Sequence, residues 1–544
     1  MQVWNRSCDH KGPLPGDRAS VVGCLFLLPL FFTNPALAAT PILTDFSLTH
    51  SYTCGPRYFR LHGADIESGV TIKLVQAGQP DILATDVINY IAAGQADFVT
   101  GRFDLSDGTA GSLWSVEVIN PGGEIAIMAD ILEVVPDCPR GSAGDLYVCN
   151  SKLNNIVQFD GLTGDFVCIF AGAQQYGEAT ELTRPGRLTW APNGNLLVTT
   201  GTPGCSGSVV NECDGSTGEF LGYVVPPPCD QNRNQEAMTF GGPNGDLYIQ
   251  ATADWDDVIA QEYDPAPPWT FIQDGLRTAP PMESPDGAAF ASNGNLLVVG
   301  RSQLTPVPTF REYEYNTGNG EFELVREVVD LGQKSAVVES PDGCCYVIPE
   351  NKLGGIGHRV DRYSIETFQF LDMLVPPSPC LSTPKDPCFF EAMRYPFDLA
   401  YGPDGRLFVS GRETTVPDPT PGPGYAFMGA IHVFDPATGQ QLDVFGQRDD
   451  GDTSIPPDPE KLWKPYGLAF KPMPGDYSSA GGAFAGDWTV NLADVEKFVP
   501  AFWGPGIRPS DPHALLSFDF DRDSDIDLAD YAKLQCVFGA TVDD

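Results

Sequence analysis

Between about residue 144 and residue 470 the apolar and polar positions recur in one phrase, with a period of roughly 50 residues. The phrase is a small turn, a short apolar run, a variable stretch, and a second run ending in Asp or Asn ahead of Thr-Gly. It reads GDLYV (Gly144 to Val148), GNLLV (Gly194 to Val198), GDLYI (Gly245 to Ile249), GNLLV (Gly294 to Val298), GCCYV (Gly343 to Val347) and GRLFV (Gly405 to Val409). A partner run precedes most of these: PGRLTWAPN from Pro185, EAMTFGGPN from Glu236, DGAAFASN from Asp286, SAVVESPD from Ser335 and PFDLAYGPD from Pro396. Pro-Asn-Gly and Pro-Asp-Gly between apolar runs predict hairpins, because Pro presets φ and Gly accepts φ above zero.

A third strand and turn follow, as in IVQFDGLTGDF (Ile156 to Phe166), YEYNTGNGEF (Tyr313 to Phe322) and IHVFDPATGQQL (Ile431 to Leu442), and then a fourth strand such as FVCIF or LDVF. Four short strands per unit, repeated about six times, predict an all-β chain built on a β-propeller, with six blades and seven as the alternative count. The first phrase lacks a partner strand, and the orphan KPYGLAFKP (Lys464 to Pro472) can supply it. The two ends of the repeat region then close the ring.

The P-x-G-L-A-F, D-G-x-L-x-V and V-x-x-F-D-x-x-T-G phrases resemble NHL-type repeats and the related six-bladed propellers of the regucalcin and streptogramin-lyase kinds. The resemblance covers about 330 residues and speaks to fold, not function. The propeller is assigned to residues 138–473.

Residues 20–39 (SVVGCLFLLPLFFTNPALAA) form an apolar run preceded by Lys11 and Arg18 and ended by Ala36-Leu37-Ala38. Residues 1–39 are therefore read as a signal peptide cleaved near Ala39, which predicts a secreted, extracellular or cell-surface protein. The alternative of an uncleaved anchor is opposed by Pro29, Pro35 and a length barely able to span a bilayer. No later segment is a membrane-span candidate.

Residues 40–136 alternate in the period of β-strands, end in the pair SLWSVEVINPGGEIAIMADILEV (Ser112 to Val134), and predict a small β-sandwich. The hairpin from Val118 to Gly123 after Trp114, with the opening PILTDFSL strand, resembles an IPT/TIG domain, an immunoglobulin-like module.

The segment 474–544 contains DFDRDSDIDLAD, from Asp519 to Asp530, with the spacing of a calcium loop. Asp519, Asp521, Asp523 and Asp530 supply side-chain oxygens at loop positions 1, 3, 5 and 12. Asp525 offers a backbone carbonyl at position 7, Asp527 stands at position 9, and Ile526 packs inward. Hard oxygen donors in this pattern suit Ca²⁺. Ser524 replaces the usual Gly and Asp530 the usual Glu. Asp at position 12 before a single helix (YAKLQCVFG) resembles a type I dockerin repeat. A second, damaged copy, GDWTVNLADVEKFVPAF from Gly486, keeps only Asp487, Asn491 and Asp494 with a Thr489 carbonyl, since Ala483 and Ala485 hold positions 1 and 3. The resemblance implies a cohesin-like protein partner met through Leu492-Ala493 and Leu528-Ala529. The bound calcium is expected to be structural. The competing reading of the acidic run is a solvated tail.

The chain carries 32 basic and 72 acidic residues, a net charge of -40. Nucleic acid and anionic membrane surfaces are poor partners for it. Of its 14 cysteines, Cys8 and Cys24 leave with the leader. Export then predicts disulfides. Cys205 with Cys213, Cys380 with Cys388, Cys54 with Cys138 and Cys149 with Cys168 are the simplest pairs, with Cys229, Cys344, Cys345 and Cys536 unassigned.

Catalytic candidates come from the inner strands: Arg187, Glu236, Asp286, Glu339 and Asp398. The regucalcin-like resemblance implies a divalent metal held by Glu236, Asp286 and Asp398. Against it, inner-strand polar residues also serve simply to hydrogen-bond neighbouring blades. His358 and His432 read as structural, and no G-x-S-x-G, H-E-x-x-H or P-loop phrase occurs. Trp255, Tyr263 and Trp269 offer either a sugar platform or blade packing. The sequence supports a modular binding and assembly protein, with no catalytic residue assigned and a carbohydrate or protein ligand on the propeller face. The enzymatic alternative is a propeller lyase or lactone hydrolase tethered for polysaccharide breakdown.

Overall fold

Each glycine that opens the repeated phrase sits in the left-handed region: Gly144, Gly194, Gly245, Gly294, Gly343 and Gly405 have φ between 69° and 83°. Side chains with a Cβ are strained there, so the phrase is locked to a tight turn. Gly194 N–H donates to the Ala191 carbonyl and Ala191 N–H to the Asn195 carbonyl, each at 2.8 Å.

The computed structural model describes residues 40–472 apart from inter-strand segments, the longer being 91–96, 106–111, 174–180, 202–207, 226–233, 253–257, 278–283, 302–307, 351–358, 376–395, 418–424 and 447–461, together with residues 530, 531 and 534. The proposed leader, 1–39, lies outside these residues. No helix among the described residues is long and apolar enough to cross a membrane.

Among the described residues, six four-stranded antiparallel sheets follow one another in the repeat region. From innermost to outermost strand, sheet 1 is Pro465–Phe470, Leu146–Asn150, Asn155–Phe159 and Phe166–Gly172. Sheet 2 is Leu188–Trp190, Leu196–Gly201, Ser208–Cys213 and Phe220–Val225. Sheet 3 is Asn234–Gly241, Asp246–Thr252, Val258–Tyr263 and Phe271–Arg277. Sheet 4 is Ser284–Phe290, Leu296–Arg301, Pro308–Asn316 and Glu321–Val329. Sheet 5 is Gln333–Glu339, Cys344–Glu350, Val360–Ser364 and Phe370–Val375. Sheet 6 is Pro396–Tyr401, Leu407–Arg412, Gly429–Phe434 and Gln441–Phe445. The innermost strands touch in a closed circuit, with sheet 6 next to sheet 1 and sheet 1 next to sheet 2. Radial sheets around a circuit of inner strands are a β-propeller.

Sheet 1 joins the two ends of the repeat region, with Leu146 opposite Phe470 and Val148 opposite Leu468. Lys471 fastens the junction: its Nζ donates to the carbonyls of Gly141 (2.6 Å) and Gly215 (2.8 Å) and lies 5.1 Å from the Trp190 ring centroid.

Between the third and fourth strands a glycine at positive φ presses on the preceding sheet. A Cβ on Gly218 would collide with the carbonyl oxygen of Phe170, and one on Gly439 with that of Leu374. Sheets 3 and 5 put aromatic residues at this turn instead, Trp269 at φ 53° and Phe368 at φ 58°. Both fill the seam: Trp269 Nε1 donates to Glu212 of sheet 2 (2.8 Å), and Phe368 packs on Phe310 of sheet 4 with ring centroids 4.1 Å apart. Glu212, buried, also accepts from Asn193 and Asn195 Nδ2 (3.0 and 2.7 Å), and Glu312 repeats this with Asn293 and Asn295 (3.2 and 2.8 Å). A buried carboxylate that gathers several N–H donors pins each hairpin turn.

Ahead of the propeller two sheets share one apolar core. One orders Ile42–Phe46, Pro56–Ala64, Asp97–Asp104 and Thr85–Tyr90; the other orders His50–Tyr52, Ile125–Val135, Ser112–Ile119, Thr71–Val75 and Ile82–Leu83. Phe59, Leu61, Phe103, Trp114 and Val116 fill the space between them. The buried Asn120 ties the last hairpin down, accepting from Glu67 N–H (3.0 Å) and donating to the Asp65 carbonyl (2.8 Å).

In the C-terminal segment the described residues are helical, with Asp530 and Leu534 buried and Tyr531 exposed. Asp519, Asp521, Asp523, Asp525 and Asp527 lie outside the described residues, as do both dockerin-like loops apart from Asp530.

The expected Cys149–Cys168 disulfide is not formed, and none of the five described cysteines is in one. Cys149 and Cys168 lie on the second and fourth strands of sheet 1, so the third strand separates them. Two strand spacings of about 4.8 Å exceed the reach of a disulfide. Cys168 Sγ instead donates to Gln158 Oε1 at 3.3 Å. Cys213 is likewise a buried free thiol, at the end of its strand. Cys54, Cys138, Cys205, Cys229, Cys380, Cys388 and Cys536 lie outside the described residues.

Candidate functional site

The inner strands are in register with the repeated phrase, pairing Leu188, Met238, Ala288, Val337, Leu399 and Leu468 with its last residue. One residue earlier the circuit carries Arg187, Ala237, Gly287, Ala336, Asp398 and Gly467. Four of the six are Gly or Ala, and the two large side chains carry opposite charge.

Arg187 Nη1 lies 2.6 Å from Asp398 Oδ1, and Nη2 donates to the Asp286 carbonyl at 3.3 Å. These partners belong to sheets 6 and 4, and neither neighbours sheet 2 in the circuit. The arginine side chain therefore crosses the enclosed space. Its backbone is fixed first, with Arg187 N–H donating to Thr199 Oγ1 (2.8 Å) and Gly467 N–H to the Gly186 carbonyl (2.7 Å). Gly467 is required for this approach, since a Cβ there would lie 2.6 Å from both Arg187 Cα and Gly186 O.

Asp398 is held from a second side. Its Oδ2 accepts from Leu468 N–H (3.1 Å), and its own N–H donates to Ser410 Oγ (3.1 Å), whose hydroxyl donates to the Tyr466 carbonyl (2.7 Å). Burial pushes the Asp398 carboxyl above the usual range, and the Arg187 guanidinium and the Leu468 N–H pull it back. Burial likewise holds the Cys149 thiol well above its ordinary range, and the Asp398 charge adds to this. The upward shift keeps Cys149 in its unreactive thiol form.

One residue before Asp398 and Gly467 stand two aromatics. Phe397 and Tyr466, both half-buried, stack with ring centroids 4.5 Å apart and planes at 30°. Lys464 Nζ lies 4.8 Å from the Tyr466 centroid. Phe397 and Lys464 thus both pack on the Tyr466 ring, beside the strand positions that carry Asp398 and Gly467.

Of the residues singled out in sequence, Arg187, Asp286 and Asp398 converge, with Asp286 contributing its backbone oxygen to Arg187. Glu339 does not join them: at the far end of its strand it accepts from Ser292 N–H (2.5 Å) and Ser292 Oγ (2.7 Å), clamping sheet 5 to sheet 4. The Glu236 side chain, Trp255 and His358 lie outside the described residues. Tyr263 and Trp269 are buried in the seam between sheets 2 and 3, so they pack blades. His432 is fully buried in sheet 6, and burial lowers its pKa to about 4. Among the described residues no three His, Cys, Asp or Glu side chains are grouped to hold a metal ion.

Phe397, Tyr466 and Lys464 were missed in sequence. Their signal is the shared Pro-aromatic start of P-F-D-L-A-Y at Pro396 and P-Y-G-L-A-F at Pro465. Ring closure makes these two strands neighbours.

No family model matches the chain, and no curated protein matches its sequence. Among solved structures it is similar to a protein of unknown function from Bacteroides caccae, at 12% identity over 60% of this chain and 97% of that one, with a TM-score of 0.38. It is also similar to a protein from Lactobacillus plantarum, at 12% identity over 60% and 98% with a TM-score of 0.35. A putative 6-phosphogluconolactonase from Bacteroides uniformis matches at 15% identity over 60% and 99%, with a TM-score of 0.33. The propeller assignment rests on the strand pairings rather than on these likenesses.

Proposed function

We propose that the chain is a secreted recognition and assembly protein rather than an enzyme. The observation that carries this is Arg187, whose guanidinium lies across the circuit of inner strands against Asp398 and the Asp286 carbonyl. A metal-dependent propeller enzyme needs those oxygens for a cation, and here a fixed positive charge is already among them. Asp398 is engaged on both oxygens, so it is poorly placed as a general base.

In this reading residues 138–473 form a six-bladed propeller, supported by the closed circuit of six inner strands. Residues 40–136 form an immunoglobulin-like spacer of the IPT/TIG kind, supported by two sheets around one core. Residues 474–544 form a dockerin-like module, with Asp519, Asp521, Asp523, Asp525, Asp527 and Asp530 around Ca²⁺, and attach the protein to a cohesin-like partner. The helical, buried Asp530 and Leu534 support a folded segment there. Residues 1–39 direct export.

Calorimetric calcium titration of the full chain beside an Asp519→Ala, Asp523→Ala variant tests the reading. One site in the parent and none in the variant supports a calcium-fastened module on a metal-free scaffold. A tight site surviving in the variant places a metal elsewhere and restores the enzymatic alternative.

A further inference from the structure

Arg359 stands one residue before the third strand of sheet 5, Val360–Ser364. Asp361 of that strand is fully buried, and the guanidinium meets it twice: Nε lies 2.8 Å from Oδ1, and Nη2 donates to Oδ2 at 3.1 Å. A carboxylate engaged by two nitrogens fixes the plane of the guanidinium and so aims the third. That nitrogen, Nη1, donates to Sδ of Met373 at 3.7 Å, and Met373 is the residue opposite Asp361 on the outermost strand of the sheet. A thioether is a weak acceptor, so a fixed cationic donor is set against a group that makes little use of it. Met373 is also 45% exposed, whereas Met238 is 7% exposed and Met128 is half-buried against the core of the N-terminal sheets.

We infer that Met373 is a modification site, oxidised by hydrogen peroxide to the sulfoxide, and that Arg359 holds the product. The Arg359 contact engages one lone pair of the sulfur, and exposure leaves the other open to the oxidant. That pair attacks a peroxide oxygen, so that an S–O bond forms and the O–O bond breaks. Sulfur is oxidised by two electrons, and the departing hydroxide takes the proton of the transferred oxygen and leaves as water. The sulfoxide oxygen is a strong acceptor, so the weak N–H···S contact gives way to a charge-assisted N–H···O bond from a donor already in place. A methionine that is merely exposed gains no such partner. Sulfoxide reductases return the sulfur to the thioether, which makes the mark reversible. The inference goes beyond the recognition reading and does not depend on it.

The test treats the full chain with hydrogen peroxide, locates the oxidised methionines by peptide mass spectrometry, and compares urea unfolding before and after. Met373→Leu, a volume-conserving swap, carries every other methionine and sets the baseline. Arg359→Lys keeps a cation against Asp361 but lacks the fork that also reaches Met373. Met373 is expected to oxidise ahead of Met128 and Met238. Relative to Met373→Leu, oxidation is expected to raise the folding equilibrium constant of the parent about tenfold, the scale of one hydrogen bond to a charged group, and to bring no such gain in Arg359→Lys. Met373 oxidising no faster than Met128 or Met238, a parental shift equal to that of Met373→Leu, or the same gain in Arg359→Lys overturns the inference. If Arg359→Lys does not fold, the parent and Met373→Leu still decide it.

Discussion

Arg187 of sheet 2 and Asp398 of sheet 6 meet at 2.6 Å although sheet 1 stands between their blades. The ion pair ties the ring across its middle, where backbone hydrogen bonds do not reach.

Removing one partner leaves the other charged in a space that is mostly shielded from water. Arg187→Ala is expected to destabilise the propeller by about 3 kcal/mol, the scale for a broken, largely buried pair. Arg187→Met with Asp398→Leu should cost clearly less than the sum of the single changes, because no lone charge remains. Urea unfolding of the four proteins measures the coupling. Additive losses would mean that the pair does not act as a unit.

Gly218→Ala tests the seam between sheets 1 and 2. The new methyl meets the Phe170 carbonyl oxygen, a backbone atom that cannot swing away, at a positive φ that alanine resists. A loss of about 2 kcal/mol or more is expected, beyond the usual cost of alanine at such a φ. Gly294→Ala is the control, since it shares the positive φ but nothing lies within 4 Å of the added methyl. It should lose only the conformational part, about 1 kcal/mol.

Much of the fold was legible because each strand was marked twice, by apolar alternation and by a Gly turn whose φ admits little else. The closing strand was legible too, since Pro465 to Phe470 carries the phrase that Gly144 lacks. Arg187, Asp286 and Asp398 could be named singly, yet their meeting depends on three non-neighbouring blades facing one centre, which spacing along the chain does not encode. Lys464 and Tyr466 passed as ordinary strand residues because an aromatic after Pro is common strand chemistry. The Cys149–Cys168 pairing failed for the converse reason: a separation of 19 positions (168 minus 149) looks local, but the intervening strand Asn155–Phe159 fills the gap.

Two buried titratable groups tilt stability with pH in opposite directions. His432 is buried as the neutral imidazole, with its pKa lowered to about 4 by burial. Its contribution is complete above the unfolded pKa near 6.5 and is lost as pH falls from there to about 4, some 3 kcal/mol in all. Asp145, which accepts from Gln158 Nε2 at 2.6 Å where the ring closes, has its pKa pushed up to about 7 by burial. Its contribution is complete below the unfolded value near 3.8 and is lost as pH rises through about 7. Between pH 4 and 6.5 the two slopes oppose, so the parent should show a shallow dependence. His432→Gln should leave the Asp145 slope exposed, with stability falling as pH rises. Asp145→Asn keeps an oxygen for Gln158 and should tilt the balance toward the His432 slope, opposed then only by Asp398 among the groups named here, with stability rising more over the same range than in the parent. Urea midpoints at pH 4, 5, 6 and 7 measure all three profiles, and parallel profiles for the two variants would show that neither group titrates as its burial demands.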